Sequence, residues 1–349
     1  MRFKDFAHTS PSVKLEREKE YPFIPMDVVD GQRKFPVETR RKKFSGGGVK
    51  FANGDTIFAR ITPCLENGKI IKIEGLKEGV GFGSTEFFVF RGKNGISDPD
   101  FIYYLSRTNI VRDPAVKSMV GASGRQRADK GVIDNVQVMA PVFPQQKQIA
   151  DVLSAYDDLI ENNTKRIKIL EQIAQAIYKE WFVYFRFPGH EIKMVDSKTE
   201  FGKIPEGWEI GKLSDLAIIT MGQSPSSNFY NEIGDGLPFH QGVTNFGFRF
   251  PVTTTYSTEG LRKAETGDIL FSVRAPVGRI NVADRNMIIG RGLAAIRSVS
   301  GHQSFLLHNL KHLFQTEDLI GGGAIFASVT KDDLNNFSVV VPDTGIIEK

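Results

Sequence analysis

From Pro144 to about Phe185, apolar residues recur at alternating spacings of four and three. The positions are Ile149, Leu153, Tyr156, Ile160, Asn163, Ile167, Leu170, Ala174, Ile177 and Trp181. All but Asn163 are apolar, and the pattern lasts more than four heptads, which predicts a coiled-coil-forming helix. Pro144 suits a first helical turn, and Pro188-Gly189 closes the pattern. About 40 residues at 1.5 Å each predict a rod of roughly 60 Å whose apolar stripe needs a partner. Asn163 in the seam is the kind of substitution that fixes register at some cost in stability; the plainer alternative is a solvated Asn on a shifted stripe.

The flanking segments read differently. Short β-branched or aromatic runs bounded by Gly, Asn and Asp predict strands at Thr56–Ala59, Ile70–Ile73 and Phe87–Phe90. After the helix, they recur at Ile269–Val273, Leu293–Ile296 and Ser338–Val341. Shorter helices are expected over Pro99 to Arg107 and His302 to Phe314, and loops at Gly46-Gly47-Gly48 and Gly321-Gly322-Gly323. These flanks repeat one another. Gly54-Asp55-Thr56-Ile57-Phe58 returns as Gly267-Asp268-Ile269-Leu270-Phe271, and each copy is followed by an Arg and a Pro (Arg60 and Pro63; Arg274 and Pro276). Pro22-Phe23-Ile24 matches Pro238-Phe239-His240, Lys4-Asp5-Phe6-Ala7 resembles Ser214-Asp215-Leu216-Ala217, and Val138–Pro141 matches Val339–Pro342. Four pairs in one order, displaced by about two hundred residues, indicate a duplicated domain rather than a solenoid. The expected fold is α/β (mixed α+β): two homologous domains, 1–143 and 187–343, separated by a helix over 144–186. Residues 344–349 occupy the place where a second such helix would begin, so the chain is expected to be truncated or naturally shortened.

Composition narrows the chemistry. The 349 residues carry 45 Lys+Arg against 41 Asp+Glu, a net charge of +4, so any nucleic-acid role depends on where the charge sits. One cysteine, Cys64, excludes an internal disulfide and a Cys-based zinc cluster. The charged N-terminus is no signal peptide, and no uncharged run approaches the ~20 residues of a membrane helix. A soluble, cytoplasmic protein with no membrane partner is expected. There is no phosphate-binding Gly-x-x-x-x-Gly-Lys-Ser/Thr loop, no dinucleotide fingerprint around the Gly triplets, and no base-gripping Asn/Asp-Pro-Pro-aromatic motif. His308 and His312 are spaced i,i+4 without a third ligand and read as a structural or surface pair. Pro342-Asp343 with Glu348-Lys349 lacks the spacer of a nuclease core. The expectation is a binding protein with no catalytic residues, no metal site and no cofactor of its own.

Basic residues cluster in loops. Arg33, Lys34, Arg40, Arg41, Lys42, Lys43 and Lys50 form one stretch, and Arg125, Arg127 and Lys130 a second; Arg262, Lys263, Arg274, Arg279, Arg285 and Arg291 surround the second Gly-Asp repeat. Lys and Arg displace counterions from phosphates, and Arg can read base edges through paired hydrogen bonds. The DNA-contact candidates are Arg40, Arg41, Lys42, Lys43, Arg125, Arg127 and Lys130 in copy one. In copy two they are Arg262, Lys263, Arg279 and Arg291. Gly54, Asp55, Gly267 and Asp268 are expected to form turns rather than contacts; Arg60 and Arg274 are left open.

The two Gly-Asp strand motifs, together with Pro141-Val142-Phe143-Pro144-Gln145-Gln146-Lys147-Gln148-Ile149 leading into the heptad helix, resemble the DNA-specificity subunit of type I restriction–modification systems. The resemblance spans essentially the whole chain. It implies two target recognition domains, each reading half of a split duplex site, joined by helical spacers. It also implies docking to two methyltransferase subunits using S-adenosylmethionine and to ATP-driven, Mg-dependent motor–nuclease subunits, with neither activity nor any of those cofactors on this chain. The resemblance also implies a second spacer helix, expected to begin at 344–349, and the unpaired stripe would allow self-association. The alternatives are the specificity subunit of a related methyltransferase–nuclease assembly, a stand-alone nuclease or methyltransferase, and a protein-binding scaffold built from duplicated domains.

Overall fold

The computed structural model describes residues 1–122, 124–189, 191, 193–314, 319–320, 324–325 and 328–349, with backbone only at 319–320 and 324–325. The expected loop at Gly321-Gly322-Gly323 lies outside the described residues. The chain divides into two units, Met1–Lys168 and Ile169–Lys349, and the division falls inside one helix, Phe143–Tyr178.

The first unit holds two four-stranded sheets. Its inner sheet runs Ala7–Thr9, Phe87–Gly92, Thr56–Ala59, Ile70–Lys72, with every neighbour antiparallel. Its outer sheet runs Arg40–Lys43, Glu20–Ile24, Val80–Gly83, Val49–Ala52, and only the central pair is parallel. Side-chain alternation explains the continuous apolar runs of the inner strands. Phe58, Phe88 and Phe90 face a core built with helix Pro99–Arg107 and the N-terminal turn Phe3–Phe6. Ile57, Ala59, Phe87 and Val89 face the outer sheet through Ile24 and Phe51. Both faces of the sheet are therefore dry.

The second unit repeats this plan. Its inner sheet is Ala217–Met221, Leu293–Ser298, Ile269–Ser272, Ile280–Val282, again all antiparallel. Its outer sheet is Tyr230–Asn231, Tyr256–Ser257, Leu237–His240, Met287–Ile289, Lys263–Ala264, with Leu237–His240 and Met287–Ile289 parallel. Strand order and direction match the first unit, with one strand added at an edge. The sequence repeat is a structural repeat, and the architecture is mixed α+β. The expected helix from His302 spans Gln303–Leu313, and the strand Ser338–Val341 is placed as expected. Residues Thr344–Ile347 form one helical turn capped by Asp343.

The long helix docks by an unexpected row. Ile149, Leu153, Tyr156, Ile160, Asn163, Ile167, Leu170 and Ile177 are exposed, while Ala174 and Trp181 are half-buried. The residues that meet the first unit come one position later, about 100° around the helix: Gln146, Ala150, Ser154, Asp157 and Glu161. Gln146 is 2% exposed. Its Oε1 accepts from the Asp98 N–H at 3.0 Å, and its Nε2 donates to the carbonyls of Ile96 and Pro141, each at 2.9 Å. Tyr104 donates to Asp157 at 2.6 Å, Lys34 to Ser154 at 2.8 Å, and Arg33 to both Glu161 oxygens at 2.7 and 2.8 Å. Lys34 and the 1% exposed Lys72 share Asp100 at 3.0 Å each beneath this contact. In the second unit Glu171, Gln175 and Tyr178 continue the one-residue offset. Gln175 bonds His308 at 2.9 Å, and Tyr178 accepts from Asn309 at 3.0 Å.

The helix ends earlier than its heptads. A π turn, Lys179–Val183, follows Tyr178, and Phe185 adopts φ 57°. This wider turn brings Phe182 and Phe185 onto Trp208, which Phe187 stacks at 5.3 Å. Among the described residues, no helix is long and apolar enough to cross a membrane.

Candidate nucleic-acid interface

The Gly-Asp repeat is a buttress. Gly54 and Gly267 hold φ 89° and 90°, a turn that favours glycine. Asp55 is fully buried and Asp268 is 3% exposed. Each carboxylate accepts from a backbone N–H three residues back, Ala52 or Glu265, at 2.8 Å. Each also receives both arms of an arginine on the neighbouring inner strand. Arg91 reaches Asp55 at 2.6 and 2.7 Å, and Arg297 reaches Asp268 at 2.7 and 2.9 Å. Bidentate geometry makes these strong pairs, and both guanidiniums are held above their ordinary pKa by the carboxylates. The four motif residues are turn-formers that clamp the start of one inner strand to the end of its neighbour, at the opposite ends of these strands from the loops that follow them.

Those loops converge at one end of the first unit. Arg60 N–H donates to the Glu86 carbonyl, Thr62 N–H to the Gln126 carbonyl, and Ala128 N–H to the Arg60 carbonyl, at 3.0, 3.0 and 2.8 Å. Glu86 lies between two arginines. It takes three hydrogen bonds from Arg127 at 2.7 to 3.1 Å and one from Arg60 at 3.2 Å. Arg127 holds the Glu86 carboxyl below the usual carboxylate range. Arg125, two residues away, is exposed and makes no ion pair with a described residue.

The second unit builds the same end from different side chains. Val273 N–H donates to the Gly292 carbonyl at 3.0 Å, and Val329 N–H to the Val273 carbonyl at 2.9 Å. Gly292 thus occupies the place of Glu86, Arg291 that of Thr85, and Val273 that of Arg60. The apparent match of Arg60 with Arg274 fails by one residue: Ile61 is the counterpart of Arg274, each bridging the strand-like residue 127 or 328. A one-residue offset on a strand turns a side chain to the other face. Arg274, Arg279 and Arg291 are all exposed here.

The other candidates lie elsewhere. Arg40, Arg41, Lys42 and Lys43 form the edge strand of the outer sheet. Arg40 pairs with Glu38 and Asp27 at 2.6 Å each, Arg41 with Glu20 at 3.2 Å and Glu78 at 2.8 Å, and Lys43 with Glu18 at 3.8 Å. Lys42 lies 4.8 Å over the Phe23 ring. Lys130 starts a short helix and binds Asp134 at 2.7 Å and Thr9 at 2.9 Å. Arg262 and Lys263 are exposed at the opposite edge of the corresponding sheet, where no described carboxylate pairs with them. Arg33 and Lys34 anchor the long helix. The structure therefore joins Arg125 and Arg127 at one loop end, and Arg279 and Arg291 at its counterpart. It places the two edge-strand groups apart from those ends. Glu86, Gln241 and Ser224 were not singled out in the sequence, because their partners lie between 17 and 67 residues away. Among the described residues no group of three or more His, Cys, Asp or Glu could hold a metal ion.

The family model described as "Type I restriction modification DNA specificity domain" matches residues 6–172 and 205–347. Over 297 residues the chain is 34% identical to the protein named as the type I restriction enzyme MjaX specificity subunit of Methanocaldococcus jannaschii, covering 83% of this chain and 68% of that one. It is 27% identical over 180 residues to the type I restriction enzyme EcoAI specificity subunit of Escherichia coli, covering 49% of this chain but 30% of that one. The crystal structure of the type I restriction–modification S subunit from M. genitalium shares the fold with a TM-score of 0.56 at 13% identity, covering 100% of this chain and 86% of that one.

Proposed function

The chain belongs to the type I restriction–modification DNA specificity family, and from that premise we propose that its two repeated units each read one half of a split duplex target. The observation that carries this reading is one scaffold used twice with different chemistry at its loop ends. Both units share strand order and the Asp–Arg buttress. At equivalent positions one carries Arg60, Thr85, Glu86 and Arg127, the other a buried Val273 with Arg291, Gly292 and Ser328. Identical frames with unlike side chains suit two different half-sites. The domain division is 1–143, 144–186 and 187–343, with 344–349 aligned to the start of the long helix.

The proposed role is recognition without catalysis. The chain directs two methyltransferase subunits, which would supply S-adenosylmethionine chemistry, and ATP- and Mg-dependent motor–nuclease subunits to the site, in the cytoplasm. The exposed heptad stripe is the surface through which a second helix, or a second copy of the chain, would pair. The proposed DNA contacts at the loop ends are Arg125, Arg127, Arg279 and Arg291, which are exposed there; Arg40–Lys43, Lys130, Arg262 and Lys263 are further candidates for phosphates.

Selection from random duplexes with the methyltransferase partner present tests the reading. The expected outcome is two short motifs flanking an unread gap, bound with an affinity that falls steeply with salt. A single contiguous motif, or affinity unchanged across a tenfold salt range, refutes it; the latter favours the protein-binding scaffold.

A further inference from the structure

Arg291 sits on a platform made almost wholly of backbone. Three segments of the second unit meet there: 222–224, 240–242 and 289–293. Gly222 N–H donates to the Leu293 carbonyl at 2.8 Å, Gln223 N–H to the Ile289 carbonyl at 2.9 Å, Gly290 N–H to the His240 carbonyl at 2.8 Å, and Gly292 N–H to the Gln241 carbonyl at 3.0 Å. The Arg291 N–H donates to the Ser224 hydroxyl at 3.2 Å, and that hydroxyl donates in turn to Gln241 Oε1 at 2.7 Å. No side chain fits between the segments. A Cβ on Gly222 would lie 2.1 Å from the Gly290 carbonyl oxygen, one on Gly290 2.8 Å from Gln241 Cα, and one on Gly292 2.6 Å from the Gln241 carbonyl oxygen.

Every N–H of Gly290-Arg291-Gly292 is thus bonded, yet the Arg291 side chain is exposed and pairs with no described carboxylate. Its neighbour Gln241 commits its amide oxygen to Ser224 and leaves its NH2 as a donor. A phosphate contact needs only a charge within reach, and a flexible lysine serves. A planar guanidinium on a fixed backbone is what paired recognition of a base edge needs, because misplacing its fork by an ångström loses one of the two bonds. The matching acceptors are O6 and N7 of guanine in the major groove.

Resting on the DNA-reading proposal above, we propose that Arg291 is a specificity-determining residue: it reads a guanine in the half-site of the second unit, with Gln241 donating to an adjacent base. The first unit has Thr85 at this position and cannot make the same contact.

The test is duplex selection with the full chain and its methyltransferase partner, comparing wild type, R291K and R291A, with a salt titration and a urea midpoint for each. R291K keeps the charge and loses the fork. Expected is a loss of guanine preference at one position of one half-site by roughly 10–100-fold in R291A, and a smaller loss in R291K, whose ammonium can donate to O6 and N7 but lacks the planar fork. The other half-site, the urea midpoint and, for R291K, the salt slope stay as in wild type. Q241A relaxes a neighbouring position. R291K with wild-type preference overturns the proposal, as does uniform weakening in R291A with a salt slope lower by about one, the mark of a phosphate contact. Unchanged motifs in both variants overturn it as well. A wild-type chain that enriches nothing overturns the DNA-reading proposal itself, and this one with it.

Discussion

Glu86→Gln separates the two charges at the first loop end from the acid that neutralises them. In the wild-type chain Arg60 and Arg127 share one carboxylate, leaving a net charge of +1, and the amide leaves +2. The Glu86 side chain is 20% exposed and the two arginines 33% and 45%, so solvent screens the pair strongly. The stability cost is therefore about 1 kcal/mol. The binding effect runs the other way. One guanidinium freed to meet a phosphate adds about 0.9 to the log–log salt slope, which corresponds at 0.1 M salt to about an eightfold gain relative to 1 M. Because phosphates are the same in every sequence, cognate and non-cognate DNA gain alike and the specificity ratio is unchanged. Fluorescence anisotropy of a non-cognate duplex between 50 and 400 mM salt measures both slope and affinity. A slope that is unchanged or shallower in Glu86→Gln refutes the placement of this loop end against DNA.

Arg125→Ala is expected to weaken DNA binding more than Arg127→Ala, because Arg125 pairs with no carboxylate among the described residues and Arg127 is already paired with Glu86; equal effects in the same titration would contradict this. Asp55→Asn and Asp268→Asn each strip a buried carboxylate from a bidentate arginine and are expected to cost about 2–3 kcal/mol of stability, read as a lowered urea midpoint. A change below about 0.5 kcal/mol in either would count against the buttress. Burial holds His240, His308 and His312 below their ordinary pKa of 6.5, and all three lie in the second unit. Below that value the unfolded chain takes up protons that the folded unit refuses, so stability falls as pH drops through 6.5 and is retained above it. Segment-resolved hydrogen exchange at pH 7.5 and 5.5, corrected for intrinsic rates, should show protection lost first in the second unit. Equal loss in both units would be the contrary result.

Much of this protein was legible along the chain because its signals are local. The inner strands announce themselves as short apolar runs, the long helix as heptads, and the duplication as repeated words, since each depends on residues a few positions apart. The role of Asp55 was half visible: a Gly-Asp turn can be read, but the Arg91 that clamps it is 36 residues away. The heptad pattern located the helix but not the row that docks it. That row, from Gln146 to Glu161, is largely polar, and its partners in the first unit (Arg33, Lys34, Asp98 and Tyr104) are set by tertiary contact. For the same reason a run of basic residues reads alike whether its charges are free or spent. Folding alone brought Glu86 between Arg60 and Arg127, set glutamates and aspartates against Arg40 and Arg41, and left Arg291 on a glycine platform without an ion-pair partner among the described residues. Charge type is a property of the residue, whereas charge availability depends on which distant group lies within about 3 Å, and only the folded chain decides that.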